Sequence, residues 1–175
     1  MKKSLTFVIC LVALGAGAWV AIEFGNEKNL NGENCPFCDS SVLSRQTVFQ
    51  GDGCVALLNY KPAVKGHMLV IPERHIERFE DLTKEEMSEI HSLIAKVDRA
   101  ERKALGSTGY LLLQKNGAEA GQSVPHVHFH YFPRSKKESK IWLIVRMLAA
   151  HWLPPLSEQE IQDQKLRFQG NGLVD

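Results

Sequence analysis

Five residues constrain this chain most: His126-Val127-His128-Phe129-His130. Strand side chains alternate between faces, so this spacing puts all three imidazoles on one face and turns Val127 and Phe129 into a core. One histidine on a strand is usually a packing or surface residue. Three of the chain's seven histidines on one face point instead to nucleophilic or proton-transfer chemistry, or to a metal, since imidazole serves all three.

The chain has 175 residues, 44% of them hydrophobic, which is ample for one buried core. Lys and Arg number 21 against 20 for Asp and Glu, so no global field calls for nucleic acid or an anionic surface as the main partner. Four cysteines (Cys10, Cys35, Cys38, Cys54) are too few for a disulfide scaffold.

Lys2 and Lys3 precede Ser4 to Ile22, a run of 19 uncharged, mostly apolar residues. Two readings of residues 1–22 fit. A cleaved signal peptide would use Leu5–Leu14 as its apolar core and Ala16-Gly17-Ala18 as its cleavage site. An uncleaved helix would use the whole run as a membrane anchor, with Trp19 at the far interface. The longer run favours the anchor, and the lysines place the domain on the extracytoplasmic side. The alternative is export after cleavage. Bulky Ile9 argues against lipid modification of Cys10.

Residues 23–34 read as a linker, rich in asparagine and glycine. The folded domain is expected over 35–135, with a helical extension over 136–175. Val48–Gln50 and Cys54–Tyr60 are strands joined by a Gly51-Asp52-Gly53 turn. Lys61–Gly66 is a loop. His67–Ile71 is a strand stopped by Pro72. Thr83 and Glu86 form a capping box at the head of a helix running to Leu105. Met87, Ile90, Ile94 and Val97 stripe that helix, and Gly106 closes it. Gly109–Gln114 and His126–Phe132 are the last strands, separated by the small, flexible loop Lys115–Gly121. Ile141, Ile144, Val145, Leu148 and Trp152 then recur at helical spacing, as a face to dock on the domain or on a partner subunit. Ser157 and Glu160 cap a final helix carrying Ile161 and Phe168. Short strands in hairpins with one long inserted helix predict an antiparallel α+β sheet.

Gln122-Ser123-Val124-Pro125-His126-Val127-His128-Phe129-His130-Tyr131-Phe132-Pro133 resembles the signature of the histidine triad family. The likeness extends to Asn59-Tyr60-Lys61-Pro62, Gly66-His67-Met68-Leu69-Val70-Ile71-Pro72 and Phe79-Glu80-Asp81-Leu82-Thr83, in order and spacing. The resemblance implies a five-stranded antiparallel sheet with flanking helices, a homodimer and a nucleotide substrate. It further implies hydrolysis at the α-phosphate of a dinucleoside polyphosphate or nucleoside phosphoramidate. His128 would be the nucleophile, with His130 and Ser123 as donors, and Ser123 is also placed to protonate the leaving group. Asn59 would bind the ribose, and Gln114 and Gln122 the phosphates, with backbone amides around Gly121 and Gln122. His130 stands where the family's sugar-phosphate uridylyltransferases have glutamine, which favours water as acceptor. No catalytic cofactor is implied. The other functional readings are a nucleotide-binding or sensing module and a metal-binding export protein.

Cys35-Pro36-Phe37-Cys38 is the second constellation. A C-x-x-C pair suits half of a zinc shell, a redox dithiol, or two ordinary thiols. The family resemblance implies zinc, with Cys35, Cys38, His75 and His126 as a closed structural shell. Cys54, in a strand, reads as a small core residue. His91 and His151 read as structural, and Arg134, Lys136, Lys137 and Lys140 as a solvated basic surface. His67 carries a weaker functional expectation.

Overall fold

The computed structural model describes residues 34–170. The short helix α1 (Ser40–Gln46) leads into β1 (Thr47–Gln50), β2 (Cys54–Leu58) and β3 (Met68–Pro72). The long helix α2 (Lys84–Leu105) follows, then β4 (Gly109–Gln114), β5 (Phe129–Arg134), α3 (Lys140–Leu148) and α4 (Glu158–Gln169). The five strands form one sheet in the order β1-β2-β3-β5-β4, antiparallel throughout, as the α+β reading expects. Helix α1 is an addition to the expected elements. It starts where the Asp39 carboxylate caps the Ser41 amide at 2.8 Å.

Both faces of the sheet are covered, which is why β2 and β3 are buried at every position. One face packs Ala56, Val70, Val127, Phe129 and Tyr131 against α2 and α4. The other packs Val55, Leu57, Leu69 and Ile71 against Cys35 and Phe37. Beside β4, Phe132 meets Leu143 of α3. Cys54 lies in the first core, as expected.

Helix α2 carries the expected capping box, and Gly106 ends it at φ 67°. Helix α4 has the second box at Ser157 and buries Ile161 and Phe168. Helix α3 does not dock its stripe on the domain. Leu143 is its buried residue, whereas Ile141, Ile144, Val145, Leu148 and the following Trp152 stay exposed.

The triad strand is also shorter than expected. The ladder begins at Phe129, not His126. Continuing the β3–β5 register from Val70↔Phe129 brings Pro72 opposite Val127. Proline has no N–H to give a ladder. Val127 donates instead to the Ile76 carbonyl at 2.6 Å. The backbone stays extended enough that His126 and His128 keep the face of His130.

The expected N-terminal hydrophobic helix, residues 1–22, and the linker through residue 33 lie outside the described residues. The membrane-anchored, extracytoplasmic placement is corrected: among the described residues no helix is long and apolar enough to cross a membrane. The longest, α2, carries charged residues from Lys84 to Lys103.

Glu101 is fully buried on the core stripe of α2, and neither carboxylate oxygen has a hydrogen-bond partner among the described residues. It lies against Gly66, where an added Cβ would come within 2.6 Å of Oε1. Burial, then the Asp98 charge, pushes its carboxyl up to about 9. An unfolded glutamate ionises near 4.5. The folded chain therefore binds the extra proton across this window, and stability falls as pH rises from about 4.5 to about 9. Glu101→Gln removes that slope: in thermal melts at pH 5, 7 and 9 its Tm gains steadily on the native chain. Parallel Tm profiles for the two proteins would refute this.

Candidate active site

Two hydrogen-bond chains set the tautomers of the site histidines. Pro72 offers only a carbonyl, so the 2.9 Å contact makes His126 Nε2 the donor. His126 Nδ1 then carries a lone pair. It faces Cys35 Sγ at 3.4 Å and Cys38 Sγ at 3.6 Å. His128 Nδ1 lies 2.7 Å from the His126 carbonyl and must also donate. Its Nε2 is left with a free lone pair.

The second chain starts in the loop before β3. The Ala63 amide donates to His67 Nδ1 at 3.2 Å, which puts the His67 proton on Nε2. That N–H meets His130 Nδ1 at 3.0 Å. His130 accepts there and carries its own proton on Nε2. The Asn59 amide nitrogen also lies 3.3 Å from His67 Nε2, while its oxygen accepts from the Lys61 amide at 2.9 Å. Asn59 thus stands at the rim of the triad.

Of the residues expected at the site, His128, His130 and Asn59 are brought together around His67. His128 and His130 rings are 4.9 Å apart, and Phe37 packs edge-on against His126 and His128. Burial lowers the imidazole pKa of both, His130 to about 3. Both are neutral near pH 7. Ser123 is exposed, three residues before His126.

Two expected phosphate contacts are placed otherwise. Gln114 pairs with Phe129, on the face turned away from the triad, and its amide donates to the Lys115 carbonyl at 2.8 Å. Gln122 clamps its own loop, accepting from the Gly117 amide at 2.6 Å and donating to the Glu77 carbonyl at 2.9 Å. The Gly121 and Gln122 amides donate within the same loop, to the Ala118 and Gly117 carbonyls. His67 is nearer the chemistry than its sequence context indicates. Its place in the stretch Gly66-His67-Met68-Leu69-Val70-Ile71-Pro72 is the available signal. His91 is exposed on α2.

Cys35, Cys38, His75 and His126 converge as the sequence suggests. One donor atom from each lies within 4.8 Å of the others, a set that could hold a metal ion. Cys38 Sγ faces His75 Nδ1 at 3.4 Å. Burial pushes the Cys35 thiol up to about 11, with Cys38 adding to the rise.

The architecture is an α+β domain with three histidines gathered on one face of a five-stranded antiparallel sheet. The family model described as "HIT domain" matches residues 40–137, and the chain belongs to the HIT domain family. A bis(5'-nucleosyl)-tetraphosphatase [asymmetrical] of Schizosaccharomyces pombe is 39% identical over 96 residues, covering 55% of this chain and 53% of that protein. The adenosine 5'-monophosphoramidase hnt1 of the same yeast is 42% identical over 84 residues, covering 48% and 60%. The chain thus spans between half and two thirds of each of these relatives. A zinc-bound histidine triad family protein from Mycobacterium smegmatis shares the fold, with a TM-score of 0.60, 20% identity and coverage of 80% and 96%.

The hydrogen-bond chains predict the Nε2–H tautomer at both His67 and His130. Long-range ¹⁵N–¹H correlation spectra of the native protein should show it. Replacing the relay donor, in His67→Phe, should release His130 into a tautomer mixture; an unchanged His130 pattern would show that His67 does not set it.

Proposed function

We propose that the protein hydrolyses nucleotide conjugates at the α-phosphorus through a nucleotidyl-histidine intermediate. One observation carries this reading: the His128 Nδ1 contact with the His126 carbonyl, which leaves Nε2 as a neutral, aimed nucleophile. Nε2 attacks the α-phosphorus, a P–N bond forms, and the bond to the leaving group breaks. The ring now carries positive charge, which the His126 carbonyl stabilises at Nδ1–H. Water then cleaves the P–N bond and restores the neutral imidazole. His130 Nε2–H donates to a non-bridging oxygen as charge gathers there. The Ser123 hydroxyl serves the leaving atom, and Asn59 the ribose. The names of the two yeast relatives support both anhydrides and phosphoramidates as the substrate class.

Zinc is the ion that suits the four-ligand cluster. A tetrahedral zinc with sulfur at about 2.3 Å and nitrogen at about 2.0 Å needs S···N edges of roughly 3.5 Å. The observed contacts are 3.4, 3.4 and 3.6 Å. The Pro72 carbonyl holding the far nitrogen of His126 is the outer support such a ligand needs. A bound zinc would hold Cys35 and Cys38 as thiolates and tie the Cys35–Cys38 loop to the catalytic segment. Phe37, between the cysteines, rests on His128, so the loop also shapes the nucleophile's surroundings.

A homodimer would pair over edge strand β4, where Tyr110, Leu111 and Leu112 are exposed.

AMP release from diadenosine triphosphate and from adenosine phosphoramidate should be measured for the native protein and for His128→Ala. Release is expected from the native protein, with a loss of at least about a thousandfold in the variant. Equal rates would remove His128 from the mechanism. Elemental analysis should find about one zinc per chain. Cys35→Ser should lose the metal and melt lower, whereas a metal-free native protein that melts unchanged with added zinc would rule the shell out. Light scattering should give a dimer, and Leu111→Glu a monomer.

A further inference from the structure

We propose that Lys115 is a specificity residue that holds the phosphate chain beyond the scissile bond and so selects substrates with a polyanionic leaving group. The proposal rests on the hydrolase reading above and narrows its substrate class. Lys115 follows directly after β4. The register pairs Leu113 with His130 and Gln114 with Phe129, the last pair of the ladder, and continuing it by one step would bring Lys115 opposite His128. By strand alternation Lys115 shares the triad face with Leu113, whereas Gln114 takes the opposite one.

The lysine side chain runs across Gly121. An added Cβ there would lie 3.6 Å from Lys115 Nζ and 3.8 Å from its Cδ. Gly121 also has φ +79°, so the loop is built around a residue without a side chain at the point where the ammonium passes. This places the charge on the rim that carries Ser123, two residues on, the donor assigned to the leaving atom. Its field reaches both His128 and His130 and disfavours a further proton on either.

Among the described residues no carboxylate lies within ion-pair distance of Lys115. The other groups at the site are neutral imidazoles and hydroxyl or amide dipoles. An ammonium with no anionic partner, beside a nucleophile for phosphorus, is complementary to phosphate oxygens. His130 and Ser123 already serve the α-phosphate and its bridging atom, which leaves the next phosphate for the lysine. The leaving group of a dinucleoside polyphosphate has several negative charges. That of a phosphoramidate is an amine and has none. The lysine therefore stabilises departure of the first and does little for the second.

The test compares the native protein with Lys115→Met and Lys115→Arg. The readout is the ratio of kcat/KM for diadenosine triphosphate to that for adenosine phosphoramidate. The ratio should fall by at least about fivefold in Lys115→Met and be largely restored in Lys115→Arg. A smaller fall, or equal losses on both substrates, overturns the proposal. A second measurement uses the His128→Ala background, where turnover is blocked. There Lys115→Met should weaken diadenosine triphosphate at least about fivefold more than AMP. Equal weakening also overturns it. If the native protein releases AMP from neither compound, the hydrolase reading fails, and the binding comparison alone still decides the role of Lys115.

Discussion

The 2.9 Å hydrogen bond from His126 to the Pro72 carbonyl sits where strand pairing ends and the site begins. Pro72 cannot donate to a ladder, so β5 cannot extend back past Phe129, and its carbonyl is left to an imidazole. That bond turns the other nitrogen of His126 toward two cysteines. The carbonyl of His126 in turn takes the proton-bearing nitrogen of His128. Two backbone carbonyls, those of Pro72 and His126, thus fix the tautomers of His126 and His128. The Ala63–His67–His130 chain does the same for the third position from the opposite edge of β3. A tautomer chosen by backbone groups costs nothing to reorganise during reaction, which is what a preorganised site requires.

The sheet makes this possible by being buried on both faces. Val127, Phe129 and Tyr131 anchor the triad segment in the core under α2 and α4. The other face then holds side chains that are rigid because their neighbours are packed. Phe37, Leu57, Leu69 and Ile71 form the apolar floor beside the triad. That burial lowers the imidazole pKa values and keeps His128 and His130 neutral. The same packing carries a cost at Glu101, a carboxyl held without partners in the first core.

Much of this is legible in the residue order. The alternation at 126–130, the two capping boxes, the cysteine pair and the order of the strands each rest on local periodicity or on a short motif. All of these persist in the fold. The departures have a common cause. The start of β5 depends on which residue of a distant strand comes opposite, and that residue is a proline. Spacing marks a broad apolar stripe on α3, yet Leu143 is its buried residue, because contact with Phe132 and Ala63 selects which side docks. Gln114 resembles a phosphate ligand, but a step of one residue in a strand reverses the face, and Gln114 pairs with Phe129, on the side turned away from the triad.

Residue order alone therefore settled which groups were available: three imidazoles in alternation, two thiols, and a helix with its caps. These follow from periods of 2 and 3.6 and from hydrogen bonds spanning three or four residues, which no distant partner can alter. The folded chain decided which nitrogen of each histidine holds the proton, which residues meet the sulfurs of Cys35 and Cys38, and which side chain of the β4 end faces the triad. The tautomers depend on Pro72 and His67, which stand 54 and 63 positions in sequence from His126 and His130, the triad members they hold. Their alignment comes from strand register, and register is set by the burial of both sheet faces together.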